Sequence, residues 1–203
     1  MHRAARALGP LRDRAIFVAS GSSARRAAEQ AEDIVASGVA ALVSFGIAGA
    51  LDPALQVGDV VRASRVASET STFGEANGPL VWGSEAIIGD PAEKAALHRR
   101  TGAAIVDLES HGVAAAADRA GLPFFVIRAV SDDARHRLPA YLADAVTPDG
   151  RPRLGPVLAG LARSPTTLPA LIRLGRNTSK ALEALERAGE TDLPALLRRF
   201  DPD

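Results

Sequence analysis

Short apolar runs alternate with stretches of helical periodicity over the first two thirds of the chain. Four runs predict buried strands, at 15–20, 40–45, 103–108 and 123–130. Three helices are predicted between them, at 24–36, 91–101 and 110–120. Ser23 is a suitable N-cap for the first helix, and Gly121 is a suitable terminator for the third. This alternation indicates an α/β fold with a mostly parallel central sheet flanked by helices.

The middle of the chain has a less regular pattern. Residues 46–49 (GIAG) are predicted to form a loop after a strand. A long strand is predicted over 57–68, a glycine-containing loop or hairpin over 69–83, and a further strand over 84–88.

The last third of the chain is predicted to be a helical C-terminal extension. Leu154, Val157, Leu158 and Leu161 fall at i, i+3, i+4 and i+7 on one helical face. Apolar positions between 168 and 185 indicate one or two more helices, and the tail over 190–203 is expected to fray. Without repeats or a low-complexity linker, residues 1–203 predict one domain, with a core at about 15–137 and the extension at about 138–203.

Composition excludes several classes of protein. The 203 residues carry a formal net charge of zero, which gives no global attraction to nucleic acid or anionic membranes. The chain has no cysteine, and its four histidines are scattered, so we predict no metal site and no thiol nucleophile. Walker, dinucleotide-binding and G-x-S-x-G motifs are absent from the sequence. No apolar run is long enough to span a bilayer, and we expect a cytoplasmic protein.

Carboxylates stand where two of the predicted strands end. Glu109 follows the strand at 103–108, and Asp132 and Asp133 follow the strand at 123–130. Because ligands of open α/β sheets bind outside the carboxyl ends of strands, we expect these acids at one rim of the sheet. Each acid also has a purely structural interpretation. Asp132 would then cap the next helix, and Glu109 would be a solvated first-turn residue that the helix dipole favours.

The functional interpretation gives the acids different chemistry. A half-buried Asp132 holds a proton more strongly and acts as a general acid. The like charge of Asp133 acts in the same direction, and Ser131 can orient either carboxylate. An ionised Glu109 accepts two hydrogen bonds at once, which suits two neighbouring sugar hydroxyls.

Two basic residues and a glycine-containing segment complete the candidate site. Arg128 lies between apolar neighbours in a predicted strand and is expected to be a buried partner of one of the acids. His111, in the first helical turn after Glu109, is expected to be a structural or rim residue rather than a base. Gly46 and Gly49 allow backbone amides to approach a ligand closely, although two glycines three apart are a weak signal alone.

Taken in order, these motifs resemble the purine nucleoside phosphorylase and methylthioadenosine nucleosidase superfamily. SFGIAGALDPALQVGDVV is similar to the family's Gly-rich ribose loop, and VDLESH is similar to its V-x-M-E helix start. RAVSDDA is similar to its R-x-x-S-D segment. Within the superfamily, DLESH and the tail DDARHRLPAYLADAVTPDGRPRLGPVLAGLARSPTTLPALIRL look most like hopanoid-associated phosphorylases. The resemblance covers roughly residues 15–185.

The resemblance implies cleavage of a ribosyl N-glycosidic bond with adenine as the leaving base, and adenosylhopane as the substrate. Asp132 matches the aspartate that protonates the base, and Glu109 matches the glutamate that holds the ribose hydroxyls. Other implied substrate-binding residues are Gly46, Ala48, Gly49, Ile87, Ile88 and Ser131, with Leu108 where the family has methionine. No cofactor is implied, phosphate is a possible co-substrate, and a homo-oligomer is expected.

One departure from the family leaves alternatives open. The family's first strand, which helps to bind phosphate or activate water, has no counterpart before Ala15. Phosphorolysis and hydrolysis therefore both stay open, as do a general methylthioadenosine/adenosylhomocysteine nucleosidase and a non-catalytic nucleoside-binding relative. The apolar C-terminal helices, flanked by Arg163, Arg173 and Arg176, either approach a lipid tail or membrane surface or pack on the core or another subunit.

Overall fold

The computed structural model describes residues 15–16, 23–142 and 153–200. The strands of this part are β1 Leu42–Ala50, β2 Val60–Ala63, β3 Arg65–Ala67, β4 Thr72–Phe73, β5 Leu80–Gly83, β6 Ile105–Asp107 and β7 Phe124–Asp132. The α-helices are α1 Ala24–Ala36, α2 Pro91–Thr101, α3 Ser110–Ala120, α4 Leu154–Arg163 and α5 Leu168–Arg199. Short 3₁₀ turns lie at Ala140–Leu142 and Pro165–Thr167.

The strands form one mixed sheet in the order β2-β7-β1-β6-β5-β3-β4. The pairs β1–β7, β5–β6 and β3–β5 are parallel, and the pairs β2–β7, β1–β6 and β3–β4 are antiparallel. Only Ser64 separates β2 from β3 in the chain, although five strand positions separate them in the sheet. In a flat sheet these strands would be about 24 Å apart, so the sheet must curl to bring them together.

Helices cover both faces of the curled sheet. On one face, Ala31 of α1 and Ala114 and Ala117 of α3 pack against Val126 and Val130 of β7. On the other face, the alanine-rich stripe of α5 packs against Ile127 and Ala129. A third buried cluster joins Leu97 of α2 to β5 and β6. The predicted fold class, an α/β protein with flanking helices and a helical C-terminal extension, is confirmed, although the sheet is mixed rather than mostly parallel. The division into domain core and extension stays a prediction.

Local signals in the sequence set the first three helices. The Ser23 hydroxyl accepts from the Arg26 amide, and α1 has the predicted bounds. In α2, Asp90 is the N-cap and accepts from the Ala92 amide at 2.7 Å, while Pro91 occupies the first helical position. Gly121 ends α3 with a φ of 64°, a left-handed conformation that glycine adopts at low cost.

Two predictions about the middle of the chain are wrong. Residues 46–49 are not a loop, because β1 continues through them and pairs with β7 as far as Gly49. The strand predicted over 57–68 is interrupted at Ser64, where the chain leaves β7 and joins β5 on the far side of the curl.

Two further boundaries differ from the predictions. The strand expected over 84–88 lies earlier in the chain, as β5 at Leu80–Gly83. Ser84 begins a turn in which its hydroxyl donates to the Ala86 carbonyl at 2.7 Å. The tail expected to fray is helical as far as Arg199, because Leu193 and its apolar neighbours pack on the sheet. Of the strand predicted at 15–20, residues 17–20 lie outside the described part.

Candidate functional site

The candidate site is arranged along β1, between β7 and β6. Gly46 is opposite Arg128 and Gly49 is opposite Asp132 in the parallel pairing with β7. Strand β6 runs antiparallel to β1, with Gly49 opposite Val106. The carboxyl end of β6 is therefore directed toward the start of β1. The expectation that the two acid-bearing strands are parallel is therefore wrong. Asp132 lies opposite Gly49 near the end of β1, and Arg128, four residues earlier in β7, lies opposite Gly46, about 10 Å back along β1.

Arg128 is the centre of a buried polar cluster. Its Nε donates to Asp107 Oδ2 at 2.7 Å, and its Nη2 donates to Ser44 Oγ at 2.8 Å. The same Nη2 reaches Ser110 Oγ at 3.2 Å and Glu109 Oε2 at 3.3 Å. We call these five residues the Arg128 cluster. The guanidinium is 95% buried but has several acceptors, so its charge is compensated.

The Arg128 cluster explains the glycine at position 46. A Cβ atom there would overlap the Arg128 guanidinium, so only glycine lets the arginine lie flat on β1. Asp107 then connects the cluster to α3, since its Oδ1 accepts from the Ser110 amide at 2.9 Å. The cluster thus fixes the start of α3, which carries Glu109 as its N-cap residue.

Glu109 is a largely buried acid beside a cation. Its side chain is 16% exposed, and it contacts Arg128 at the edge of the cluster. Burial raises the pKa of Glu109 to about 7, against the lowering effect of the Arg128 guanidinium, and the charge of Asp107 raises it further. Near neutral pH this carboxyl group therefore exists in both protonation states.

Asp132 forms a second buried ion pair, with Lys94 of α2. Lys94 Nζ donates to Asp132 Oδ2, and Lys94 has no exposed surface. The other carboxylate oxygen, Oδ1, accepts from the Ser131 hydroxyl at 3.1 Å. A Cβ on Gly49 would lie only 3.0 Å from Asp132 Oδ2, so the carboxyl group rests against the β1 backbone. We call Lys94 and Asp132 the Lys94 pair.

Sequence reasoning did not identify Lys94 or Asp107 as site residues. Lys94 is one of two lysines in a chain whose other 22 basic residues are arginine. It also lies three residues before Leu97, so helical periodicity places it on the buried face of α2. These signals were available, but they do not indicate which acid the ammonium meets.

The remaining predicted residues lie around these two clusters. Asp133 turns away from Asp132: its Oδ1 accepts from the Arg135 and His136 amides at 2.9 and 3.0 Å, and its Oδ2 contacts His136 Nδ1 at 2.6 Å. Burial acts to raise the pKa of Asp133, but these amides and the His136 ring hold it below its usual value.

His111 and the predicted base-contacting residues are on the β5 side of the site. His111 Nε2 contacts Glu85 Oε1 at 2.9 Å, and a Cβ on Gly83 would overlap the His111 ring. Ile87, Ile88 and Leu108 are half-buried, and Ile88 packs on the cluster that holds Leu97. Within the described residues, no hydrogen bond links Glu109 to Asp132, and no group of side chains could hold a metal ion.

The arrangement provides two buried carboxyl groups along one segment of β1: Glu109 belongs to the cluster at Gly46, and Asp132 lies beside Gly49. These glycines are three residues apart, so the two clusters are about 10 Å apart along the strand. Asp132 can exchange a proton with a ligand at the end of β1, and Glu109 can accept hydrogen bonds from hydroxyl groups. Such a site fits a molecule with a proton-accepting end and a hydroxylated end.

A family model supports this chemistry from the sequence. The model described as the phosphorylase superfamily matches residues 7–79 and 75–159. The chain belongs to the phosphorylase superfamily. This membership confirms the prediction of a nucleoside phosphorylase or nucleosidase, and both site clusters lie within the matched residues. No curated protein matches the chain.

Solved structures share the fold of this phosphorylase superfamily member at low identity. The 5'-methylthioadenosine/S-adenosylhomocysteine nucleosidase of Neisseria meningitidis, in complex with methylthio-immucillin-A, is 16% identical with a TM-score of 0.65, covering 94% of each chain. Futalosine hydrolase of Helicobacter pylori is 14% identical with a TM-score of 0.60, covering 85% of this chain and 77% of that one. The S-adenosylhomocysteine nucleosidase of Streptococcus pyogenes is 20% identical with a TM-score of 0.52, covering 82% and 75%.

Proposed function

We propose that this protein cleaves the N-glycosidic bond of an adenosyl compound and releases adenine. The proposed substrate carries a large apolar 5′ substituent, as in adenosylhopane, which would place the reaction in hopanoid biosynthesis in the cytoplasm. The observation that carries the proposal is the buried carboxyl group of Asp132, 8% exposed, at the glycine end of β1.

The proposed reaction begins with departure of the base. The C1′–N9 bond breaks through an oxocarbenium-like transition state, and its electron pair moves onto the purine. A proton passes from the Asp132 carboxyl group to N7 and neutralises the charge that develops on the base. An oxygen of water, which releases a proton, or of phosphate then bonds to C1′ and yields the 5′-substituted ribose or its 1-phosphate. We propose no cofactor; phosphate is a co-substrate only in the second case.

Sugar binding is assigned to Glu109. In its ionised form, Glu109 accepts hydrogen bonds from the two ribose hydroxyls, and its contact with Arg128 favours this form. Gly46, Ala48 and Gly49 would present the β1 backbone to the ribose and the nucleophile, with Leu108 beneath the sugar. Ile87 and Ile88, next to β5, would contact the base.

Exposed apolar residues in the C-terminal extension support an apolar 5′ substituent. Leu158, Leu168 and Ile172 are 63%, 46% and 48% exposed. A chain of contacts connects this region to the site: the Leu138 amide donates to the Gly89 carbonyl at 2.9 Å, and the Tyr141 ring packs against Gly160 of α4. The same apolar residues are those that a second subunit or a transient membrane contact would cover. No helix in the described part is long and apolar enough to span a membrane.

The substrate is tested by incubating the protein with adenosylhopane, methylthioadenosine or adenosylhomocysteine and detecting free adenine. Parallel reactions with and without phosphate distinguish phosphorolysis from hydrolysis. We expect release from adenosylhopane at a kcat/KM well above that for the two soluble nucleosides. Equal or higher activity on the soluble nucleosides would favour a general nucleosidase. Binding of adenine without turnover of any substrate would contradict an enzymatic function.

The acid assignment is tested by Asp132→Asn, which keeps the shape of the side chain. Removal of a general acid is expected to lower kcat about a hundredfold or more in the folded protein. Thermal unfolding measures the folded fraction, because the buried Lys94 loses its carboxylate partner in this variant. Asp118→Asn is the matched control, because Asp118 is exposed on α3 and far from the site. Wild-type activity of the Asp132 variant would show that another group supplies the proton.

A further inference from the structure

Lys94 is a buried cation that the proposed reaction does not use. Its side chain has no exposed surface, whereas lysine is almost never fully buried unless it is paired. Its ammonium group makes two contacts, with Asp132 Oδ2 and, at 3.0 Å, with the carbonyl oxygen of Asp133. Both contacts are directed at the residue proposed as the acid and at the peptide next to it.

These contacts immobilise Asp132 from both sides. Lys94 holds Oδ2, while the single hydroxyl proton of Ser131 is shared between Oδ1 and the Ala48 carbonyl, at 3.1 and 3.2 Å, which links the carboxyl group to β1. The Asp133 carbonyl is held by the same ammonium group, so the backbone after Asp132 is fixed as well. Because both of its oxygens accept hydrogen bonds, the carboxyl group of Asp132 has a fixed orientation relative to a ligand.

Helix α2 itself is tied to the loop that follows Asp132. Arg137 Nη1 donates to Asp90 Oδ2, at the N-cap of α2, and the Leu138 amide donates to the Gly89 carbonyl. Lys94 lies one turn into this helix, and its amide donates to the Asp90 carbonyl at 2.9 Å. The position of the ammonium group is therefore set by the same loop that it contacts.

The geometry points to Lys94 as a positioning residue for Asp132, which holds its carboxyl group and the following peptide in the orientation needed to protonate the leaving base. This inference rests on the proposed function, since it assumes that Asp132 is the acid. Lys94 touches no substrate atom in this scheme and acts only through Asp132.

The kinetic test compares Lys94→Met with Lys180→Met, which removes the chain's other lysine, exposed on α5. We expect Lys94→Met to lower kcat/KM at its optimum about tenfold to a hundredfold, because the acid is no longer oriented. The loss should fall on kcat rather than on KM, because Lys94 does not touch the substrate in this scheme. Lys180→Met should match the wild type in both constants. An unchanged kcat in Lys94→Met, or a loss that falls on KM alone, would overturn the inference.

A double-mutant cycle separates positioning from a general structural role. In an Asp132→Asn background, Lys94→Met should cause no further loss of the residual rate, because Lys94 acts through Asp132. Additive losses of kcat in the double variant would also overturn the inference. A fully active Asp132→Asn protein would instead refute the acid assignment and the proposed function's mechanism.

Folding of the variants is monitored by thermal unfolding. Lys94→Met leaves a buried carboxylate without its cation, while the double variant with Asp132→Asn removes both charges and is expected to recover stability. If Lys94→Met does not fold, Lys94→Gln keeps a hydrogen-bond donor without the charge and provides the same kinetic comparison. A wild-type kcat in a folded Lys94→Gln protein would contradict the inference equally, because the shorter side chain cannot reach both the Asp132 carboxylate and the Asp133 carbonyl.

Discussion

The Arg128 cluster and the Lys94 pair each place a buried cation on a carboxylate beside a glycine of β1. They differ in the number of acceptors. Arg128 donates to four side chains from three elements and the segment before α3, whereas Lys94 contacts one carboxylate and one carbonyl. A cation with many fixed partners stabilises the fold, which we call a bracing role. A cation with a single carboxylate partner mainly sets the orientation of that carboxylate. The two clusters should therefore respond differently to mutation.

Removal of the arginine charge tests the bracing role and is expected to have the largest effect on stability. Arg128→Met leaves Asp107 and Glu109 buried without their cation, which should lower the free energy of unfolding by about 3–5 kcal/mol. Chemical denaturation measures this loss. Arg119→Met removes an exposed ion pair with Glu32 and should cost about 1 kcal/mol or less. Similar losses in both variants would contradict the bracing role.

The pKa of Glu109 shows how far the Arg128 cluster offsets the free-energy cost of burying an ionised acid. Its pKa of about 7 lies above the ordinary value of 4.5, so the folded state holds this proton more strongly than the unfolded state does. Wild-type stability should therefore fall, relative to Glu109→Gln, as pH rises from 4.5 to about 7. The difference should amount to about 3 kcal/mol and then stay constant. Thermal unfolding across this range measures it, and a constant difference between the proteins would contradict the raised pKa.

The close fit of Arg128 on β1 gives a smaller prediction. Gly46→Ala places a methyl group where the guanidinium lies, and relief of the overlap should cost about 1–3 kcal/mol. Gly155→Ala is the control, because nothing lies within 4 Å of the new Cβ on α4 and alanine is the better helix former. Urea denaturation should show destabilisation only for the first variant. A stability gain in both would mean that the guanidinium moves freely.

Neighbouring aspartates provide the smallest expected effect. Asp133→Asn keeps an oxygen that accepts from the Arg135 and His136 amides and loses only the charge toward His136. The free energy of unfolding should change by less than about 1 kcal/mol, as for other exposed ion pairs. Adenine release should fall far less than in Asp132→Asn. Equal losses of activity would show that both carboxylates take part in the reaction.

Helices with strong local signals could be predicted from the sequence almost to the residue. Ser23, Asp90 and Gly121 mark helix ends through contacts within a few residues, so no tertiary information was needed. The acids Glu109 and Asp132 also stood out, since each follows an apolar run. Their separation along β1 could not be predicted, because it depends on the antiparallel direction of β6, which no local pattern encodes.

The sequence by itself determined the α/β alternation, the helix ends and the candidate acids, because periodicity, capping and glycine conformations act over a few residues. Only the tertiary structure decided the curl of the sheet, the extension of β1 through its glycines and the meeting of Lys94 with Asp132. Lys94 and Asp132 are 38 residues apart, and their contact depends on how α2, packed against β5 and β6, is placed relative to the end of β7. Contacts of this kind arise from the packing of whole elements, so a side chain's neighbours are known only once the sheet order and register are known.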